Sequence, residues 1–150
     1  MTEREEDPTC PFCAIAAGRL AASLVHEDAL TVAFMDSRQF HAGHVLVIPR
    51  RHLPDVRALH GVEGAEIGAA LVAAVARVTR AVDAAFPSDG ISVWHSIGEG
   101  AHQEVPHLHV HVHPRQSGDD VLRVYPRAPA TPERPTLDAY AASIRARMSE

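Results

Sequence analysis

His107-Leu108-His109-Val110-His111-Val112-His113 alternates histidine with an aliphatic residue through the whole run. A period of two belongs to a β-strand, whose side chains point to opposite faces in turn. The spacing predicts a strand over His107 to His113, ended by Pro114. Its four imidazoles share one face, successive rings about 6.5–7 Å apart, while Leu108, Val110 and Val112 turn to a core. The chain has 11 histidines in 150 residues, so these four are the place to look for chemistry.

On either side the elements follow from periodicity and punctuation. Ser96 to Glu104 is polar, contains Gly98 and Gly100, and reads as a loop. Ile91-Ser92-Val93-Trp94 alternates as a strand after the turn Pro87-Ser88-Asp89-Gly90. From Gly61 to Phe86 the chain is Ala-rich, with Ile67, Leu71, Val75, Val78 and Val82 at three- and four-residue intervals, which predicts one long helix. Val45-Leu46-Val47-Ile48, stopped by Pro49, predicts a strand buried on both faces. Leu24 to His26 and Leu30 to Phe34 flank Glu27-Asp28 as a hairpin. Pro11 to Arg19 predicts a short helix that stops near Gly18. Thr136 to Met148 predicts a terminal helix capped by Thr136. Strands before and after one long helix make an α+β domain with a largely antiparallel sheet. Residues 1–9 read as a flexible charged tail and residues 10–150 as a single domain that includes the C-terminal helix.

Composition narrows the function. Hydrophobic residues make up 46% and charged residues 22%, as in ordinary globular proteins. A net charge of −5 argues against a nucleic-acid partner, which would call for a basic stripe. No apolar run approaches the roughly 18 residues of a membrane span. The acidic start Met1-Thr2-Glu3-Arg4-Glu5-Glu6-Asp7 is unlike a secretory signal, so the expected location is cytoplasmic. Two cysteines only three apart do not form a secreted disulfide framework.

Crowded imidazoles depress one another's proton affinity and stay neutral and nucleophilic near pH 7. A solvated polar face is the plain alternative, but an unbroken ladder speaks against it. Zinc is another, since imidazoles at this spacing can chelate it. A hydrolytic zinc site mixes histidine with carboxylate around an open water position; here Glu104 is the only acidic residue close in sequence. The Gly-containing loop and Gln103 suit phosphate contact by amide and backbone N–H donors. Nucleophilic imidazole at phosphorus fits better. Cys10-Pro11-Phe12-Cys13 lacks a second cysteine pair and by itself remains open between redox motif, half a metal site and chance. Asp36 can equally cap its loop, and Phe34 can equally be core.

Three blocks together carry a resemblance: Gln103-Glu104-Val105-Pro106-His107-Leu108-His109-Val110-His111-Val112, Phe34-Met35-Asp36, and Gly43-His44-Val45-Leu46-Val47-Ile48-Pro49-Arg50-Arg51-His52. In type, order and spacing they resemble the histidine triad (HIT) superfamily, and the Cys-x-x-Cys start is similar to its bacterial Hint-like branch. The resemblance implies a HIT-like α+β fold: a five-stranded antiparallel sheet with two main helices, paired as a homodimer into a continuous sheet. It implies His109 as nucleophile on the α-phosphorus, His111 as phosphate partner and His44 as support. Asp36 would bond the ribose, Phe34 wall the base, and Gln103 and Ser96 sit near the phosphate or leaving group. Cys10, Cys13, His52 and His107 would hold a structural zinc, so His107, although on the catalytic strand, would not act as a free acid or base.

The implied activity is hydrolysis of a purine nucleoside phosphoramidate or dinucleoside polyphosphate through a nucleotidyl-histidine, releasing a nucleoside monophosphate, AMP in first place. Nucleotidyl transfer or phosphorolysis, and nucleotide binding without turnover, are the alternatives. No organic cofactor is implied. Three positions depart from the family pattern. Relatives usually have Gly where this chain has His102, Asn where it has Ser96, and a branched apolar residue where it has His113. His102 is expected to narrow the leaving-group side or add a phosphate contact, and Ser96 to replace only part of Asn's hydrogen bonding. His113 is expected to be an exposed strand-end residue. His26, His41, His60 and His95 receive no role.

Overall fold

The computed structural model describes residues 6–123 and 125–148. The chain divides into two compact units, one ending at Asp119 and one beginning at Asp120. In the first, helix α1 (Pro11–Ala16) is followed by strands β1 (Leu24–Glu27), β2 (Thr31–Met35) and β3 (Val45–Pro49). Helix α2 (Gly61–Ala85) then leads to β4 (Gly90–Trp94) and β5 (Val110–Arg115). The strands form one five-stranded sheet in the order β1-β2-β3-β5-β4, antiparallel at every step. The second unit contains α3 (Arg134–Arg145).

Alternation along the central strands sorts the core into two layers. Ala33, Val45, Val47, Leu108 and Val112 pack with Ile67, Leu71, Ala74, Val78 and Val82 of α2. Val32, Phe34, Leu46 and Ile48 point to the other face, where Phe12 and Ile15 of α1 cover them. β3 is therefore buried on both sides, as its β-branched run predicts. Register sets a row across the second face: Phe34 opposite Leu46, Leu46 opposite His111, and His111 opposite Trp94. This face carries the histidines.

The histidine strand is shifted from its expected bounds. Regular pairing begins only at Val110 and runs to Arg115. Carried on, the β3–β5 register would set Ile48 and Pro49 against His109 and Leu108, but the pairing stops at Val47 and Val110, and Leu108 N–H instead donates to the carbonyl of Leu53. At the other end β4 continues to pair, with Ile91 opposite Pro114, where β3 pairing has already stopped at Val112. The missing N–H of Pro114 thus falls on an unpaired side.

Two further details differ. α3 begins after Glu133, so Thr136 lies inside the first turn and does not cap it; Pro135 suits that first turn. Gly43, just before His44, has φ +106, and a Cβ there would come within 2.8 Å of the Phe86 ring. A side chain at 43 would push β3 away from the end of α2 and carry His44 with it. Among the described residues no helix is long and apolar enough to cross a membrane.

Candidate functional site

α1 starts at the first cysteine of Cys10-Pro11-Phe12-Cys13, with Pro11 in its first turn and the Cys10 sulfur accepting from Cys13 N–H. This turn faces His52, just past β3, and His107. Cys10 Sγ lies 3.5 Å from His107 Nδ1; Cys13 Sγ lies 3.3 Å from His52 Nδ1 and 3.6 Å from His107 Nδ1. The S···N edge of a tetrahedron with metal–sulfur and metal–nitrogen bonds near 2.3 and 2.05 Å is about 3.5 Å. Both cysteines are free thiols, so the group is able to hold a metal ion. His107 Nε2–H donates to the Pro49 carbonyl at 2.9 Å, which leaves Nδ1 with its lone pair toward the sulfurs. Burial pushes His107 down to about 4, so the ring is neutral. It pushes the Cys13 thiol up to about 11, an environment where a thiolate needs a cation beside it.

The next rung is set by the backbone of the first. His109 Nδ1 lies 2.6 Å from the carbonyl oxygen of His107. A carbonyl only accepts, so Nδ1 carries the proton and Nε2 keeps the lone pair. His111 Nδ1 lies 2.9 Å from His44 Nε2, and His44 Nδ1 lies 3.6 Å from an Asp36 carboxylate oxygen. Burial lowers the pKa of His109 and of His44, and with the neighbouring imidazoles it takes His111 down to about 3.

His109 and His111 open into a cavity of about 750 Å³. Phe12, Ile15, Phe34 and Leu46 give it an apolar part; Asp36, Ser37, Arg38, His102 and Glu104 give it a polar rim. One Asp36 oxygen accepts from Arg38 N–H as a loop cap, and the residue also lines the cavity. Arg38 and Glu104 form a two-bond fork across the rim, at 2.7 and 3.2 Å, and each favours the charged form of the other.

Ser96 and Gln103 do not line this cavity. Gln103 is spent on the backbone: its amide nitrogen donates to the Pro54 carbonyl at 2.7 Å and its oxygen accepts from Gly98 N–H at 2.8 Å. It thereby pins the loop that leads into the histidine run.

His113 is not an exposed strand end. It is 1% exposed, with its ring 4.5 Å from His44 and 5.8 Å from His41, and His41 in turn bonds Asp119. The histidine face of β5 continues past the cavity, and the rings of His44, His41 and Trp94 cover His113 there. Sequence reasoning also passes over three other contributors. Trp94 lies flat on His111, ring centroids 4.3 Å apart and planes within 4°. Phe12 stands edge-on to His109 at 5.2 Å, placed there by the cysteines on either side of it. His95 donates from Nδ1 to the His109 carbonyl at 3.0 Å and accepts at Nε2 from Val56 N–H. Only Trp94 carried a signal, since it ends an alternating strand.

The HIT domain model matches residues 18–118 of this sequence. The chain belongs to the HIT family. An uncharacterized HIT-like protein of Mycobacterium tuberculosis is 38% identical over 110 residues, 73% of this chain and 74% of its own length. Adenosine 5′-monophosphoramidase of Schizosaccharomyces pombe is 32% identical over 126 residues, 83% of this chain and 89% of that protein. A crystal structure of a HIT family member from Bacillus subtilis is similar with a TM-score of 0.84 at 31% identity, covering 95% of this chain and 99% of that one.

Proposed function

We propose that this chain is a nucleotide hydrolase that cleaves a purine nucleoside phosphoramidate, or a dinucleoside polyphosphate, at the α-phosphate through a nucleotidyl group on His109. The observation that carries this reading is the His109–His107 hydrogen bond, which aims the unprotonated Nε2 of a buried, neutral imidazole into a cavity of nucleotide size. The base lies between Phe34, Leu46 and Ile15, and the ribose hydroxyls reach Asp36. His111, backed by His44 and Trp94, holds the phosphate. His109 Nε2 attacks phosphorus in line, the leaving group departs, and water then releases the nucleoside monophosphate. The relative named adenosine 5′-monophosphoramidase supports AMP as that product.

Cys10, Cys13, His52 and His107 hold a zinc ion in this reading, and their sulfur and imidazole set is the one a closed tetrahedral site uses. When bound, zinc supplies a structural cross-link between α1, the end of β3 and the histidine run. Thiols kept for a metal suit the reducing cytoplasm. Val62, Ala65, Ala69, Val72 and Ala76 line one exposed side of α2, a stripe that supports a homodimer.

The test is rapid quenching of protein mixed with adenosine 5′-phosphoramidate, followed by intact mass and peptide mapping. One adenylyl group on His109 is expected, with both adduct and turnover lost in His109→Ala by about 10⁴-fold or more. Full turnover by that variant, or an adduct on another residue, overturns the assignment.

A further inference from the structure

His102 has φ 66 and ψ 31, the left-handed region that L side chains seldom enter. Glycine meets that geometry freely, and the HIT-like pattern usually has glycine here. The loop gives His102 little freedom to relax. Its N–H bonds the Glu99 carbonyl at 2.9 Å, and the next residue, Gln103, is tied to Pro54 and Gly98. A side chain held against its backbone preference, exposed, at the rim of a reactive cavity, points to function rather than packing.

Three imidazoles line the cavity: His102, His109 and His111. His109 is the buried nucleophile, and His111, tied to His44 through Nδ1, is given to the phosphate in the reading above. Of the three, His102 alone is exposed to solvent. Glu104, two residues on, shares the rim with it. The Arg38 fork holds Glu104 in place. A basic amine leaves phosphorus only if its nitrogen gains a proton as the bond breaks, whereas a phenolate leaves without one.

We propose that His102 is the proton donor to the leaving group, a catalytic residue that fits this site to phosphoramidates of basic amines; this rests on the nucleotidyl-His109 reading above. As His109 Nε2 bonds to phosphorus, the P–N bond to the amine breaks and its electron pair stays on the amine nitrogen. The His102 imidazolium passes its proton to that nitrogen, so the amine departs neutral and His102 is left neutral. Water then attacks phosphorus and loses a proton to His102. The P–N bond to His109 breaks, with its electron pair returning to Nε2, and AMP is released with His102 again protonated.

The experiment compares kcat/KM for an N-alkyl adenosine phosphoramidate and for the p-nitrophenyl ester of AMP. It uses the unmodified protein, His102→Gly and His102→Asn, since both replacements suit a left-handed backbone. The amidate-to-ester ratio is expected to fall about 100-fold in both variants. A ratio within about threefold of the unmodified protein in either variant overturns the proposal, since a proton donor cannot be replaced by Gly or by Asn. If the unmodified protein turns over neither compound and forms no His109 adduct, the hydrolase reading fails first and takes this one with it.

Discussion

The Nδ1 of His109 lies 2.6 Å from the carbonyl oxygen of His107, whose own ring faces Cys10 and Cys13. One residue thus serves the thiol cluster with its side chain and fixes the tautomer of the proposed nucleophile with its backbone. Removing the metal is therefore expected to reach the chemistry as well as the fold. Metal analysis should find one zinc per chain in the unmodified protein and none in Cys10→Ser. A loss of about 3 kcal/mol would lower Tm by about 6–12 °C in a chain of this size. Below that Tm, kcat should fall more than KM rises, because the ring is mis-set while the base pocket survives. Unmodified protein purified without zinc, yet with unchanged Tm and kcat, would end the idea of a metal staple.

Trp94 is the only tryptophan in the chain, and it lies stacked on His111. Its emission is a direct reporter of the site. AMP is expected to change Trp94 fluorescence in the unmodified protein and to leave it nearly unchanged in His111→Ala. Trp94→Leu removes an aromatic stack of about 0.5–1.5 kcal/mol, so kcat/KM should fall about three- to tenfold. An AMP response identical in both backgrounds would show that phosphate does not reach His111.

Much of this was legible because the signals are local. A period of two fixed which faces His109, His111 and Leu108 take, and the β-branched run at Val45–Ile48 announced a strand covered on both sides. The α2 face was also readable, although Ala74 rather than Val75 is its fully buried member. What escaped was set by partners distant in sequence. Regular pairing does not start at His107 because Leu108 N–H turns to the distant Leu53 carbonyl instead of the β3 ladder, and nothing within His107 to His113 says so. His113 reads as a strand end, yet the rings of His44 and His41 cover it. Gln103 looked like a ligand-facing amide, but its bonds go to Pro54 and Gly98, contacts that only the folded loop defines. The family pattern pointed to Cys10, Cys13, His52 and His107, and the fold brings those four together.

The exposed α2 stripe gives the proposed homodimer a simple test. Val62 is 90% exposed and Val72 is 69% exposed, and both lie on the side of the helix away from Ile67 and Leu71. Val72→Glu would bury a carboxylate in each half of a symmetric interface, where like charges meet. Light scattering should give twice the chain mass for the unmodified protein and a shift toward the single-chain mass for the variant. Far-UV circular dichroism should be unchanged, because position 72 contributes nothing to the core. A single-chain mass for the unmodified protein at all concentrations would remove the dimer.

Acid should destabilise this fold earlier than its carboxylates alone would require. Burial lowers the pKa of His44, His111 and His113 from the usual value near 6.5, and takes His111 to about 3. In the unfolded chain all three titrate near 6.5, so below that pH the unfolded state binds more protons than the folded state. Stability then rises with pH, at up to about 1.4 kcal/mol per pH unit for each such group. It should be level above about pH 7.5, and these three groups alone should make it fall at up to about 4 kcal/mol per unit as the pH drops below 6. Urea unfolding midpoints at pH 7.5, 6.5, 5.5 and 5.0 measure this slope. His113→Leu deletes one buried imidazole while keeping an apolar ring-sized volume against His44, so its slope should be shallower by about 1.4 kcal/mol per unit. An unchanged slope in that variant would mean that His113 already binds its proton in the folded state, and that its burial beside His44 and His41 does not exclude the charge.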